Sequence, residues 1–142
     1  MLTRLLAALC LMALSVAIHA GGLSWALSWL RRHPGRTLGF WADTWLFVLV
    51  AAWIVLLHLL EIAVWAAFYL WKGAIADLPV ALYFSAVTYT TTGYGDIVLP
   101  EAWRLIGGVE ALTGILMCGW STGFFFLIVN RLYEKGTRMT NP

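Results

Sequence analysis

Three apolar runs, residues 5–30, 40–70 and 105–130, are each long enough to cross about 30 Å of hydrocarbon at roughly 1.5 Å per residue. The first carries no formal charge, the second has Glu61 as its one deep charge, and the third has only Glu110. Backbone N–H and C=O groups find no water in hydrocarbon, so each run must satisfy its own as a helix. With 62% hydrophobic and 11% charged residues the chain does not read as a soluble domain, and an all-α membrane protein is expected.

Between the second and third runs lies a shorter apolar stretch, residues 78–87, which leads into the polar sequence TYTTTGYGDI at 88–97. Ten residues cannot span. The reading is a re-entrant half-helix followed by irregular backbone, which membrane depth tolerates only where protein buries it or water lines it.

Basic residues set the orientation. Arg31, Arg32 and Arg36 follow the first run and Arg131, Lys135 and Arg138 follow the third, against Arg4, Lys72 and Arg104 on the other side. This places the N-terminus outside, the C-terminus in the cytoplasm, and the re-entrant segment entering from the outer face of the cell (inner) membrane. Residues 1–20, with Arg4, an apolar run and AIHA, also read as a cleavable signal peptide. Cleavage would leave the Arg31 to Arg36 cluster outside, so a retained helix is expected, bent at Gly21 and Gly22 and stopped by Pro34 and Gly35.

Aiming consecutive carbonyls at one axis requires left-handed backbone at alternate positions, and glycine adopts it most readily. Gly93 and Gly95 stand two apart with Tyr94 between them and Thr91-Thr92 before them. Carbonyls of Thr91, Thr92, Gly93 and Tyr94, with the Thr91 hydroxyl, are then candidates to line a narrow passage on one side. One chain offers too few oxygens to replace a cation's water shell, whereas four around an axis supply rings of oxygens.

The stretch TTTGYGD closely resembles the selectivity filter of potassium channels, and ALYFSAVTYTTTGYGD (81–96) resembles the pore helix and filter of the small two-helix bacterial channels. The resemblance extends over about residues 40–131, to Trp103 and to Gly114 where such inner helices carry a hinge. It implies a potassium-selective homotetramer with potassium bound at Thr91, Thr92, Gly93 and Tyr94 and the filter completed by Gly95. The outer helix would be 40–70, the pore helix 78–90, the filter 91–96 and the inner helix 104–131, all within a pore domain at 37–142 that follows an N-terminal helix and basic linker at 1–36. The pore helix would start at Asp77 as N-cap with Pro79 in its first turn, its C-terminal dipole facing the membrane centre. Thr92 replaces the commoner valine and its hydroxyl needs a partner. Val87 stands where some relatives pair a glutamate with the filter aspartate, so Asp96 needs another partner.

Outside the filter, Glu110 is read first as a structural hydrogen bond to a neighbouring helix or the pore-helix backbone, with bracing of the pore helix or filter from behind, its charge state tuning conduction, as the sharper alternative. Glu61 shares a helix face with His58, a packed or interfacial histidine with a sensor as the alternative. The GWSTG stretch (119–123) reads as close helix packing, with Ser121 or Thr122 as cavity-facing alternatives. Phe124 and Phe125 are candidates for a hydrophobic gate. Cys10 and Cys118 read as free buried thiols. His19, His33 and His58 lie far apart in sequence, and no metal cluster, nucleophile with its base or phosphate cradle is read, so an enzyme is not expected. The expected partners are potassium ions, the bilayer and three further copies, with no other cofactor and no nucleic acid. A nonselective cation channel or a non-conducting accessory subunit are the alternatives.

Overall fold

The computed structural model describes residues 2–32 and 39–140, with side chains described through residue 130. The basic linker at Arg36 with Pro34 and Gly35, as well as His33, lies outside the described residues, as do the side chains of Arg131, Lys135 and Arg138. Four helices form: α1 (Leu2–Arg32), α2 (Phe40–Trp71), α3 (Leu78–Tyr89) and α4 (Arg104–Thr140), the last preceded by a short 3-10 turn at Glu101–Trp103. No strand occurs among the described residues. α1, α2 and the segment Glu101–Asn130 are each long and apolar enough to cross a membrane, while α3 is the short apolar helix between them.

Each helix end has a local cause. α2 stops at Lys72 because Gly73 takes φ 65°, and the Gly73 and Ala74 amides donate back to Leu70 (3.0 Å) and Tyr69 (2.9 Å) carbonyls. These two bonds satisfy carbonyls that the helix end leaves free. α3 starts where Asp77 adopts extended backbone and Pro79 occupies the first turn. The Asp77 side chain makes no capping bond, so backbone conformation and proline set this start. α1 stays helical through Gly21 and Gly22.

The buried residues of α1, Ala8, Ser15, His19, Leu23 and Ala26, recur at spacings that form one stripe. That stripe packs on both α2 and α4. α1 is therefore part of the bundle core. One apolar cluster joins Ala8 to Ile62, Trp65, Phe84, Ile106 and Met117. A second, toward the other end, joins Leu23 and Ala26 to Val50, Leu57, Phe124 and Ile128. The Arg4 guanidinium donates to the Ala102 carbonyl (3.0 Å) and lies 5.0 Å over the Trp103 ring, which places the amino end of α1 beside the turn that precedes α4.

α3 enters the bundle and does not cross it. Its last residue, Tyr89, bonds Glu61, which lies ten residues before the end of α2, about 15 Å along the helix. At that depth α3 meets α4 at Gly114, where an added Cβ would collide with the Tyr89 carbonyl. The expected outcome of Gly114→Ala is a loss of about 1–3 kcal/mol through overpacking, read as a lowered unfolding midpoint in detergent. Gly108→Ala, where nothing lies within 4 Å of the added carbon, serves as the neutral control.

Candidate functional site

The chain after α3 folds back on the helix it leaves. Thr91 N–H donates to the Thr88 carbonyl (2.9 Å) and Gly93 N–H to the Val87 carbonyl (3.0 Å). Val87 thus supports the segment through its backbone. From there the backbone is left-handed at alternate residues, with φ 59° at Thr91, 52° at Gly93 and 78° at Gly95. This is the alternation that turns successive carbonyls to one side. Thr91 is the one non-glycine residue with positive φ among those described, and a β-branched residue held there costs of order 1–3 kcal/mol. Sequence reasoning assigned the left-handed positions to glycines and missed it.

Residues 90–96 are exposed on the single chain, Tyr94 at 71%. The two side chains that lacked partners in the sequence reading find them. Thr92 Oγ1 lies 3.0 Å from Thr90 Oγ1, and Asp96 accepts from the Tyr83 hydroxyl at 2.8 Å. That bond raises the Tyr83 phenol above the ordinary tyrosine value, so Tyr83 remains a donor at neutral pH.

Behind α3, the fully buried Glu110 accepts from the Tyr69 hydroxyl at 2.7 Å, while the Ser85 hydroxyl lies 2.5 Å from its other oxygen and 2.9 Å from the Ile62 carbonyl. A bond between Ser85 and Glu110 places the carboxyl directly against α3. The Tyr69 and Ser85 hydroxyls bring one proton each to these contacts. The group is fully hydrogen-bonded when Glu110 is the neutral acid, donating to Ser85 as Ser85 donates to Ile62.

The sequence profile of a family described as "Ion channel" matches residues 44–131, more than half of the chain. The chain belongs to this ion channel family. Its likeness extends to the potassium voltage-gated channel protein Shal of Drosophila melanogaster, 36% identical over 64 residues, which are 44% of this chain and 11% of that one. The chain thus spans a small part of the length of this curated relative. No solved structure matches it. Together the family and the relative support the resemblance drawn from the TTTGYGD motif, and the exposed segment 91–95 falls within the matched residues.

The α4 residues named as hinge, cavity or gate candidates have packing positions. α4 remains helical through Gly114. Phe124 is buried against α1 and α2, and Phe125 stacks on Phe47 at 5.6 Å, whereas Phe126 is 65% exposed. Thr122 donates back to the Cys118 carbonyl. Both cysteines are free, as expected, but exposed on the single chain and not buried.

A larger correction concerns the histidines. His19 and His58, far apart in sequence, stack with ring centroids 5.1 Å apart. His19 Nδ1 pairs with Glu61 at 2.8 Å, both residues fully buried, and Ser121 lies 3.0 Å from His19 Nε2 and 3.1 Å from His58 Nε2. His58 Nδ1 is 3.1 Å from the Tyr89 hydroxyl, which donates to Glu61. The ligand atoms of His19, His58 and Glu61 all lie within 4.8 Å of one another. Sequence reasoning paired Glu61 with His58 by spacing and had no signal for α1.

Because Glu110 is fully bonded as the neutral acid, Glu110→Gln is expected to keep the fold within about 1 kcal/mol, whereas Glu110→Leu strands the buried Tyr69 hydroxyl, Ser85 keeping its bond to the Ile62 carbonyl, and costs about 1–3 kcal/mol. Thermal unfolding of both variants in detergent checks this. Equal losses in Gln and Leu would contradict the neutral acid.

Proposed function

We propose that four copies of this chain form a potassium-selective pore in the cell (inner) membrane, with Thr91, Thr92, Gly93, Tyr94 and Gly95 as the filter. The observation that carries the reading is the left-handed alternation at Thr91, Gly93 and Gly95 on an exposed polar segment. Each chain contributes one oxygen per level. Four chains give stacked rings that replace an ion's hydration shell, with Thr91 adding its hydroxyl at the inner end. Exposed apolar residues on α4, among them Leu112, Ile115 and Leu116, supply surface for neighbouring copies and lipid.

The matched family supports conduction of ions, and the TTTGYGD motif with Tyr94 in place supports preference for potassium over sodium. α3 directs the negative end of its dipole toward the depth where a partly hydrated cation waits. The Thr90 to Thr92 hydroxyl contact and the Tyr83 to Asp96 bond hold the segment from its two sides. Arg31 and Arg32 end α1 at the face opposite Arg4, consistent with an N-terminus outside and a C-terminus in the cytoplasm.

The test is cation flux into liposomes containing only this protein, driven by potassium and then by sodium gradients. Potassium flux that barium blocks, with sodium at background, is the expected result. Gly93→Ala should abolish it, since an L-side chain at that φ costs about 1–2 kcal/mol in every chain. Equal sodium flux would overturn selectivity, and no flux with either cation would favour an accessory subunit.

A further inference from the structure

The contacts His19 to Glu61, Glu61 to Tyr89, Tyr89 to His58, His58 to Ser121 and Ser121 to His19 close a ring of five hydrogen bonds. One residue comes from α1, two from α2, one from α3 and one from α4, and no buried side-chain polar atom among the described residues is left without a partner. Closure lets the protons be counted. Two hydroxyls, two neutral imidazoles and an ionised carboxylate bring four protons to these five contacts, so the ring holds one more.

Donor and acceptor logic closes the ring with that proton on His19, His58 or Glu61, and the 2.8 Å contact between the buried His19 Nδ1 and Glu61 favours His19, where the positive charge lies directly against the carboxylate. Glu61 accepts at both oxygens, from His19 Nδ1 and from Tyr89. Tyr89, having donated its proton, accepts from His58, so His58 is protonated at Nδ1. With the proton on His19, His58 Nε2 is bare and accepts from Ser121, and Ser121 in turn accepts from His19 Nε2. In this arrangement His19 donates from both nitrogens as an imidazolium. Its charge cancels that of Glu61, which leaves the ring neutral at a depth where net charge is expensive. A divalent cation among His19, His58 and Glu61 would leave a net positive charge and strip the protons that close the ring.

We propose that this ring is a one-proton site that controls conduction: the proton shared by His19 and Glu61 fixes Tyr89 beneath the filter, and its loss releases Tyr89 and closes the pore. Tyr89 ends α3 two residues before Thr91, and its carbonyl abuts Gly114. Loss of the proton leaves a buried carboxylate without its counter-charge and one contact without a hydrogen. Other titratable groups that face the ring are Cys118 and Glu110 of α4, with Tyr69 of α2 bonded to Glu110. The control of conduction rests on residues 91–95 being the filter, whereas the protonation pattern does not.

The experiment uses the full chain in liposomes, with histidine carrying heavy nitrogen, followed by solid-state NMR and by potassium flux over the same pH series. His33→Gln protein assigns the third histidine. The expected spectrum has one imidazolium and one neutral ring protonated at Nδ1, and flux should fall about tenfold per pH unit once the imidazolium is lost. Glu61→Gln keeps the ring closed, its amide N–H donating to His19 Nδ1 and its carbonyl accepting from Tyr89, without a dissociable proton. Both ring histidines should then be neutral and flux level across the series. Two neutral rings in the unaltered protein, a pH profile shared with Glu61→Gln, or stoichiometric zinc uptake that replaces the imidazolium signal would each overturn the proposal. Absence of flux from both proteins would refute the channel reading and with it the control of conduction, while the spectra still decide the proton site.

Discussion

Polar backbone inside hydrocarbon must be paired, and the rest of this architecture follows from how the chain meets that demand. The spanning helices meet it by themselves. The segment 91–95 is not helical: its backbone is left-handed at Thr91, Gly93 and Gly95, and its residues are exposed on the single chain. In the proposed pore, partner copies and a dehydrated cation would complete this segment. The helices around it hold this segment by hydrogen bonds.

Holding it takes support on several sides. Val87 and Thr88 carbonyls catch the strand as it leaves α3, Tyr83 holds Asp96 beyond it, and Glu110 ties α3 to α2 through Ser85 and Tyr69. Deeper, the His19 ring ties the last residue of α3 to every other helix. α1 shares this role with α2 and α4 through His19, which bonds Glu61 of α2 and Ser121 of α4. Buried polar groups are costly when partly satisfied, so a closed ring favours one helix arrangement over its neighbours.

Much of this was legible in the sequence because the signals are strong and local. Span length fixed the long helices, Pro79 marked the first turn of α3, and the isolated Glu110 in an apolar run implied a protein-facing partner. Thr91 was not legible, since glycine dominates expectations for positive φ and a threonine there follows only from its place in the strand. The ring was not legible either: α1 is apolar all round, so nothing in its pattern says which face meets the bundle, and His19 meets Glu61 only once that rotation is known. Exposure of Cys10 and Cys118 depends on the same rotations.

The central claim is that residues 91–94 of four chains jointly coordinate monovalent cations. Anomalous diffraction from crystals grown with thallium in place of potassium tests it most directly. The account predicts a four-fold axis with a row of thallium peaks between the carbonyls of Thr91, Thr92, Gly93 and Tyr94. A different symmetry, or a four-fold axis with no anomalous density between these strands, would contradict it.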